Sequence, residues 1–268
     1  MTGRVEPAER RFTARTDLAT IGALVRRARN EILRVPGAAI PGVLAPTIFF
    51  LGLTAVFGGL TQLPGFTADE YQSFIVPISL LQGAGFTGAA TGVNLARDIE
   101  QGWFDRLLVS PAPRPVLLAG LVASASLRSL IPATFLLVVG FAIGVSWPGI
   151  DGVLLAYFFV MGMGTLAACW GSMVALRFKT QGAAPLMQAG MFVLILTTTA
   201  YAPLELLQGW LADVAQINPV TQIVEAIRQG FTTGTISWGE TWPGLVAMVG
   251  MLIVLGGLAL RGMNKTAE

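Results

Sequence analysis

The sequence predicts an all-α integral membrane protein with six transmembrane helices and both termini on the cytoplasmic side. Two observations carry this reading. The 268 residues are 54% hydrophobic and only 12% charged, with a mean hydropathy of +0.69, which leaves too little polar surface to coat a water-soluble fold. The apolar residues also gather into runs near the length of about 20 residues that a helix needs to cross a hydrocarbon core. These runs are Ala38 to Leu60, Phe74 to Leu95, Leu117 to Val145, Val153 to Leu176, Ala183 to Ala202 and Trp242 to Leu260.

Charge placement orients the spans, because Lys and Arg stay on the cytoplasmic side. All of the 17 Lys and Arg except Arg128 and Arg228 fall before the first run, between the second and third, between the fourth and fifth, or after the sixth. The alternate loops hold Asp69, Glu70, Asp151, Glu205, Asp213, Glu225 and Glu240, with Arg228 as their one basic residue. The chain therefore divides into a cytoplasmic N-terminal tail (1–37), one six-helix transmembrane domain (38–262) and a cytoplasmic C-terminal tail (263–268). Within the N-terminal tail, Ile21, Leu24, Val25, Ala28 and Ile32 recur at helical spacing while Arg26, Arg27, Arg29 and Arg34 fill the remaining circumference. That pattern reads either as an interfacial amphipathic helix whose arginines meet anionic headgroups or as a solvated basic tail. No apolar core precedes the basic stretch, so a cleaved signal is not expected.

Composition also excludes chemistry. The absence of histidine removes imidazole metal sites, histidine bases and Ser/His/Asp triads. A lone Cys169 in an apolar run cannot staple the chain and reads as a small buried hydrophobe. Thirty-two Gly and 15 Pro are spread through the apolar runs, as in membrane helices. Gly88 to Gly92 and Gly140 to Gly144 have the Gly-x-x-x-Gly spacing that lets helix backbones approach, either within the bundle or between subunits. Arg128, inside the third run, is either an anchor snorkelling to the inner boundary or a residue that pairs with a carboxylate or lines a pathway. Ser79, Gln82, Thr87, Gln188, Thr197, Thr198 and Thr199 are the mild polar groups of the spans, read as bonds between helices or as pathway lining.

Two loops carry more specific patterns. Between the second and third spans, Ile99, Trp103, Phe104, Leu107 and Leu108 fall at helical spacing among Asp98, Glu100, Asp105 and Arg106, and Pro111 ends the segment. A short cytoplasmic amphipathic helix with an aromatic pair suits a groove on another protein or the surface of the lipid headgroups. Before the sixth span, Asn218 is a good N-cap and Pro219 a good first helical residue. Ile217, Val220, Ile223, Val224, Ile227 and Phe231 mark an apolar face, and Glu225 and Arg228 are spaced to pair. Being too short and charged to span, this helix suggests a re-entrant or interfacial outer hairpin with the preceding Pro203 to Val214 piece.

Glu100, Gly102, Arg106-Leu107-Leu108, Pro111 and Arg114 together resemble the Glu-x-Gly-x-x-x-x-Leu-Leu-x-x-Pro-x-x-Arg pattern of the ABC-2 type permeases, in particular the branch similar to daunorubicin/doxorubicin exporters. The resemblance implies that this loop is the coupling helix that docks on a nucleotide-binding subunit, with Trp103 and Phe104 as its aromatics. Asn218-Pro219 followed by Glu225 and Arg228 resembles the outer helical hairpin that precedes the last span in the same family and helps close the external gate. The likeness spans the topology of the whole chain but only these two stretches in residues. No Gly-x-x-x-x-Gly-Lys-Ser/Thr loop is present, so ATP and Mg are expected on the partner and no cofactor, metal or catalytic residue on this chain. The implied assembly is two ATPase subunits with two permeases, identical or homologous, in membrane lipid and without nucleic acid. Export of a drug or lipid-like compound, export of a polysaccharide or glycolipid, and an ATP-independent carrier or scaffold are the competing functions. The last would show inverted repeats or intramembrane acids, and neither is seen.

Overall fold

A computed structural model describes residues 18–23, 25–26, 30, 40–62, 66, 68, 70–104 and 113–265. No strand occurs among the described residues, and 18–23, 25, 26 and 30 are helical. The rest of the N-terminal segment, on which the amphipathic-helix expectation also depends, lies outside them. The remaining α-helices are α1 (Ile40–Phe57), α2 (Tyr71–Glu100), α3 (Arg114–Ala142), α4 (Gly149–Phe178), α5 (Ala184–Leu196), α6 (Trp210–Ile217), α7 (Pro219–Thr233) and α8 (Trp238–Lys265).

Among the described residues, five helical stretches are long and apolar enough to cross a membrane: Gly42–Gln62, which adds a 3-10 turn to α1, and α2, α3, α4 and α8. At 1.5 Å per residue the 30 residues of α2 reach about 45 Å. The fifth expected span is shorter than Ala183 to Ala202. Its α-helix has 13 residues, and with the preceding 3-10 turn the apolar helix is Gln181–Leu196, about 24 Å long. It ends at a run of threonines: the hydroxyls of Thr197 and Thr198 donate back to the carbonyls of Val193 and Ile195, and Thr199 turns away to a polar cluster at that end of the bundle.

α2 is the most buried of the long helices and the centre of the bundle, packed against α1, α3, α4, α5 and α7. Its seam with α4 is made by glycine. A Cβ on Gly88 would lie 2.4 Å from the Gly164 carbonyl oxygen, and one on Gly92 would lie 2.3 Å from the Gly171 carbonyl carbon. The Gly88/Gly92 pair therefore packs within the chain. Gly140 and Gly144 do not form a second such seam, because Gly144 lies past the end of α3 at a φ of +99°, a conformation that favours glycine.

α1 and α8 are the least buried of the long helices. Leu44, Ile48 and Val56 on α1, with Val249, Ile253 and Val254 on α8, face outward. A helix that is apolar all round needs an apolar surrounding, so these faces suit lipid or a second chain.

The bundle's connections sort into two ends. At one, Arg97 and Glu100 meet Gln181, and Arg114 meets Asn264. At the other, Tyr71 Oη donates to the Tyr201 carbonyl at 3.1 Å, and the Ser146 amide donates to Ser73 Oγ at 2.9 Å. The first end gathers the loops expected in the cytoplasm.

Candidate coupling loop and outer polar cluster

Of the expected coupling residues, Glu100, Gly102, Trp103, Phe104 and Arg114 are described, while Arg106, Leu107, Leu108 and Pro111 lie outside the described residues. α2 ends in a tight C-terminal turn. The Gln101 and Gly102 amides donate to the Arg97 and Ile99 carbonyls, and Gly102 takes φ +69° where a side chain would be strained. Phe104 then returns into the core with no exposed surface, so it anchors the loop to its own bundle. Trp103 is half-buried.

The two charged ends of the motif are also engaged within the chain. Glu100 Oε1 accepts from Thr180 Oγ1 at 2.7 Å and from the Gln181 amide at 3.0 Å, while Oε2 accepts from Gln181 Nε2 at 2.6 Å. One turn earlier Arg97 Nε donates to Gln181 Oε1 at 3.2 Å, so the side-chain amide of Gln181 is held from both sides. Arg114 Nη1 donates to the Asn264 carbonyl at 3.2 Å and to its Oδ1 at 3.3 Å, satisfying a carbonyl near the C-terminal end of α8.

At the opposite end, Asn218 caps two helices. Its Oδ1 accepts from the Val220 amide at 2.9 Å, the expected N-cap of α7. Its Nδ2 donates to the Leu194 carbonyl at 2.8 Å and to Thr197 at its carbonyl and Oγ1, closing the C-terminus of α5. α7 then buries Val220, Ile223, Val224, Ile227 and Phe231 against the bundle. Ile217 departs from that expected face: it ends α6 and is 81% exposed.

Glu225 and Arg228 pair as their spacing implies, at 2.5 Å. Arg228 is only 4% exposed. Its Nη2 donates to the Thr199 carbonyl at 2.6 Å and its Nε to the Phe74 carbonyl at 3.3 Å, and its guanidinium lies 3.8 Å above the Phe74 ring. Thr199 Oγ1 donates to Glu225 in turn. The cluster thus joins α2, the segment after α5, and α7.

Two polar motifs at opposite ends of one helical bundle are the arrangement that the sequence resemblance anticipates, and comparison with known proteins decides the family. The family model described as ABC-2 type transporter matches residues 19–232. The chain belongs to the ABC-2 type transporter family.

Similar proteins include the daunorubicin resistance ABC transporter permease protein DrrB1 of Streptomyces coeruleorubidus, 27% identical over 90% of this chain and 85% of that one. "Probable doxorubicin resistance ABC transporter permease protein DrrC" of Mycobacterium tuberculosis is 28% identical over 94% of this chain and 87% of its own length. "Probable multidrug ABC transporter permease YbhR" of Escherichia coli is 30% identical over 66% of this chain and 49% of its own.

In this ABC-2 bundle Arg128 sits midway along α3, half-buried, and donates from Nη2 to Thr91 Oγ1 of α2 at 2.7 Å. Several of the polar groups read as interhelical bonds instead serve their own helix: Ser79 bonds the Ile75 carbonyl and Thr198 that of Ile195. Gln188 does bridge, to the Phe86 carbonyl. Rings of α1, α2 and α5 gather beside it, with Phe192 centred 6.1 Å from Phe49 and 6.2 Å from Phe86.

An apolar cavity of about 530 Å³ lies between α4, α5, the start of α7 and α8, lined by Trp170, Leu194, Pro219, Val246 and Met251 among others. Sequence reasoning missed Thr180, Gln181, Asn264, Thr199 and Phe74 as partners of the motif residues. The available signal was weak: a Thr-Gln-Gly turn in a short loop, and one of three consecutive Thr near the end of the fifth apolar run.

Proposed function

We propose that this ABC-2 chain is the transmembrane subunit of an ATP-driven exporter that moves amphipathic or hydrophobic compounds outward across a bacterial cytoplasmic membrane. The observation that carries the reading is the motif loop at residues 100–114, whose two stems are tied to the Thr180–Gln181 turn before α5 and to the C-terminal end of α8 at one end of the bundle. A partner pressing on that loop moves the bundle as a unit.

In this reading the short apolar α5 is the fifth of six membrane crossings, both termini are cytoplasmic, and α6 and α7 form the outer hairpin. Two permeases, identical or homologous, work with two ATPase subunits, which carry ATP and Mg. Closure of the ATPase pair pushes the coupling loops, and the outer cluster around Asn218, Pro219, Glu225 and Arg228 acts as the external gate. The gate is held shut by directional bonds from Arg228 and Asn218 and opens when α7 moves against α2 and α5.

The substrate class follows from the surfaces on offer. Phe49, Phe86 and Phe192 with the single amide of Gln188 supply apolar contact and little hydrogen bonding, and the cavity beside α8 is lined by apolar side chains. A polysaccharide would need many more polar partners for its hydroxyls. The names of three similar proteins, resistance permeases for daunorubicin and doxorubicin and a probable multidrug permease, point the same way.

The test is purification from native membranes in mild detergent, with the bound partner identified by mass spectrometry, followed by reconstitution and ATP-dependent uptake of an anthracycline into inside-out vesicles. A stoichiometric ATPase and ATP-dependent uptake are expected. A chain that purifies without any ATPase would overturn the reading in favour of an ATP-independent carrier or scaffold.

A further inference from the structure

We infer that Glu100 is a positioning residue and not a docking residue: its carboxylate straps the coupling loop to the Thr180-Gln181 turn, so that movement imposed on the loop is passed to α5 and along it to the outer cluster. The inference rests on the ATPase-partner reading above.

The bonding of the carboxylate carries it. A carboxylate has about four lone-pair sites. Three of those on Glu100 are filled from within the chain, by Thr180 Oγ1, the Gln181 amide and Gln181 Nε2. Such charge-assisted bonds are directional. Arg97 grips the same Gln181 side chain from the preceding turn of α2, so the turn is held at two points. Thr180 in turn accepts from the Gly182 amide, which shapes the start of the 3-10 turn that leads into α5.

The far end of the path is held as firmly. α5 begins three residues beyond Gln181 and ends at Leu196, where Asn218 closes it. Thr199, just beyond, bonds Glu225 and Arg228. A single helix of about 20 Å therefore runs from the strap to the outer cluster, with directional polar bonds at both ends. Between these ends α5 is held to α2 by apolar packing and the single Gln188 bond to the Phe86 carbonyl, and the strap adds a directional hold at the end where force enters.

The experiment uses the full permease–ATPase complex, purified and reconstituted, and reads three quantities: ATPase stoichiometry, ATP hydrolysis, and substrate transported per ATP. Glu100→Ala is expected to keep the ATPase in the complex and to lower transport per ATP by about tenfold. Gln181→Ala combined with Thr180→Val, which changes neither the motif nor Glu100, should reproduce that loss. All three substitutions together should be no worse than either set, because one interaction is being removed.

A swap guards against simple misfolding. Gln181→Glu alone opposes two carboxylates and should uncouple transport, while Gln181→Glu with Glu100→Gln restores a carboxylate–amide pair and should recover it. Loss of the ATPase from the Glu100→Ala complex, with normal transport by the Thr180→Val/Gln181→Ala variant, would overturn the proposal and make Glu100 a docking residue. Additive losses, or failure of the swap to recover transport in well-folded complexes, would also overturn it. An unaltered chain that holds no ATPase would instead bring down the function reading, and this proposal with it.

Discussion

Asn218 and the Glu225–Arg228 pair show how much one side chain does at the end of the bundle opposite the coupling loop. Asn218 is 6% exposed and uses both ends of its amide, so Asn218→Ala removes an N-cap from α7 and a C-terminal closure from α5. Loss of a cap costs about 1 kcal/mol, and the stranded α5 carbonyls add to it. A lower melting temperature in detergent is expected, with the ATPase still bound. Loss of the ATPase from that variant would contradict the outer placement.

The ion pair is asymmetric. Removing Arg228 leaves Glu225, whose side chain is 40% exposed and can be hydrated, whereas removing Glu225 leaves a buried cation. Glu225→Ala should therefore cost more than Arg228→Met, in the range of about 3–5 kcal/mol for a broken buried pair. Thermal unfolding of the two variants side by side checks the order, and equal melting temperatures would show that water reaches the Arg228 site.

Among the elements, the α2–α4 seam is decided by backbone contact. Gly92→Ala would set a methyl 2.3 Å from the Gly171 backbone, which forces the helices apart, and overpacking of this kind costs about 1–3 kcal/mol. Gly250 on α8 has open space around it, so Gly250→Ala should be neutral or raise stability by up to about 1 kcal/mol through helix propensity. Melting of the two purified variants distinguishes a packing glycine from a merely helical one. The periodic pattern could not separate them, because Gly88/Gly92 and Gly140/Gly144 have the same spacing and only the first pair meets another backbone. α5 teaches the same lesson at its end. Hydropathy runs on to Ala202, but the helix stops at Leu196, where Asn218 of a distant segment takes the Leu194 and Thr197 carbonyls.

For the whole molecule, topology is the property with the sharpest test. Cys169 is free and buried, so single cysteines can be introduced over a quiet background. Lys179→Cys is expected to react with an impermeant maleimide only from the cytoplasmic side, and Trp210→Cys, at a residue 69% exposed, only from outside. Labelling of both from one side would overturn the up-and-down arrangement.

The sequence by itself determined the membrane class, the apolar runs, the charge bias that their expected sidedness rests on and the two polar motifs, because hydropathy, charge bias and a helix cap are local properties that a linear pattern records. The Glu225–Arg228 pair and the Asn218 cap were legible for that reason: their partners lie within three residues. What only the tertiary structure decided is which groups those motifs bond across the chain. Glu100 finds Gln181, Arg228 finds Thr199 and Phe74, Arg114 finds Asn264, and Phe104 turns inward, since each of these depends on how distant helices end beside one another and no local spacing encodes it.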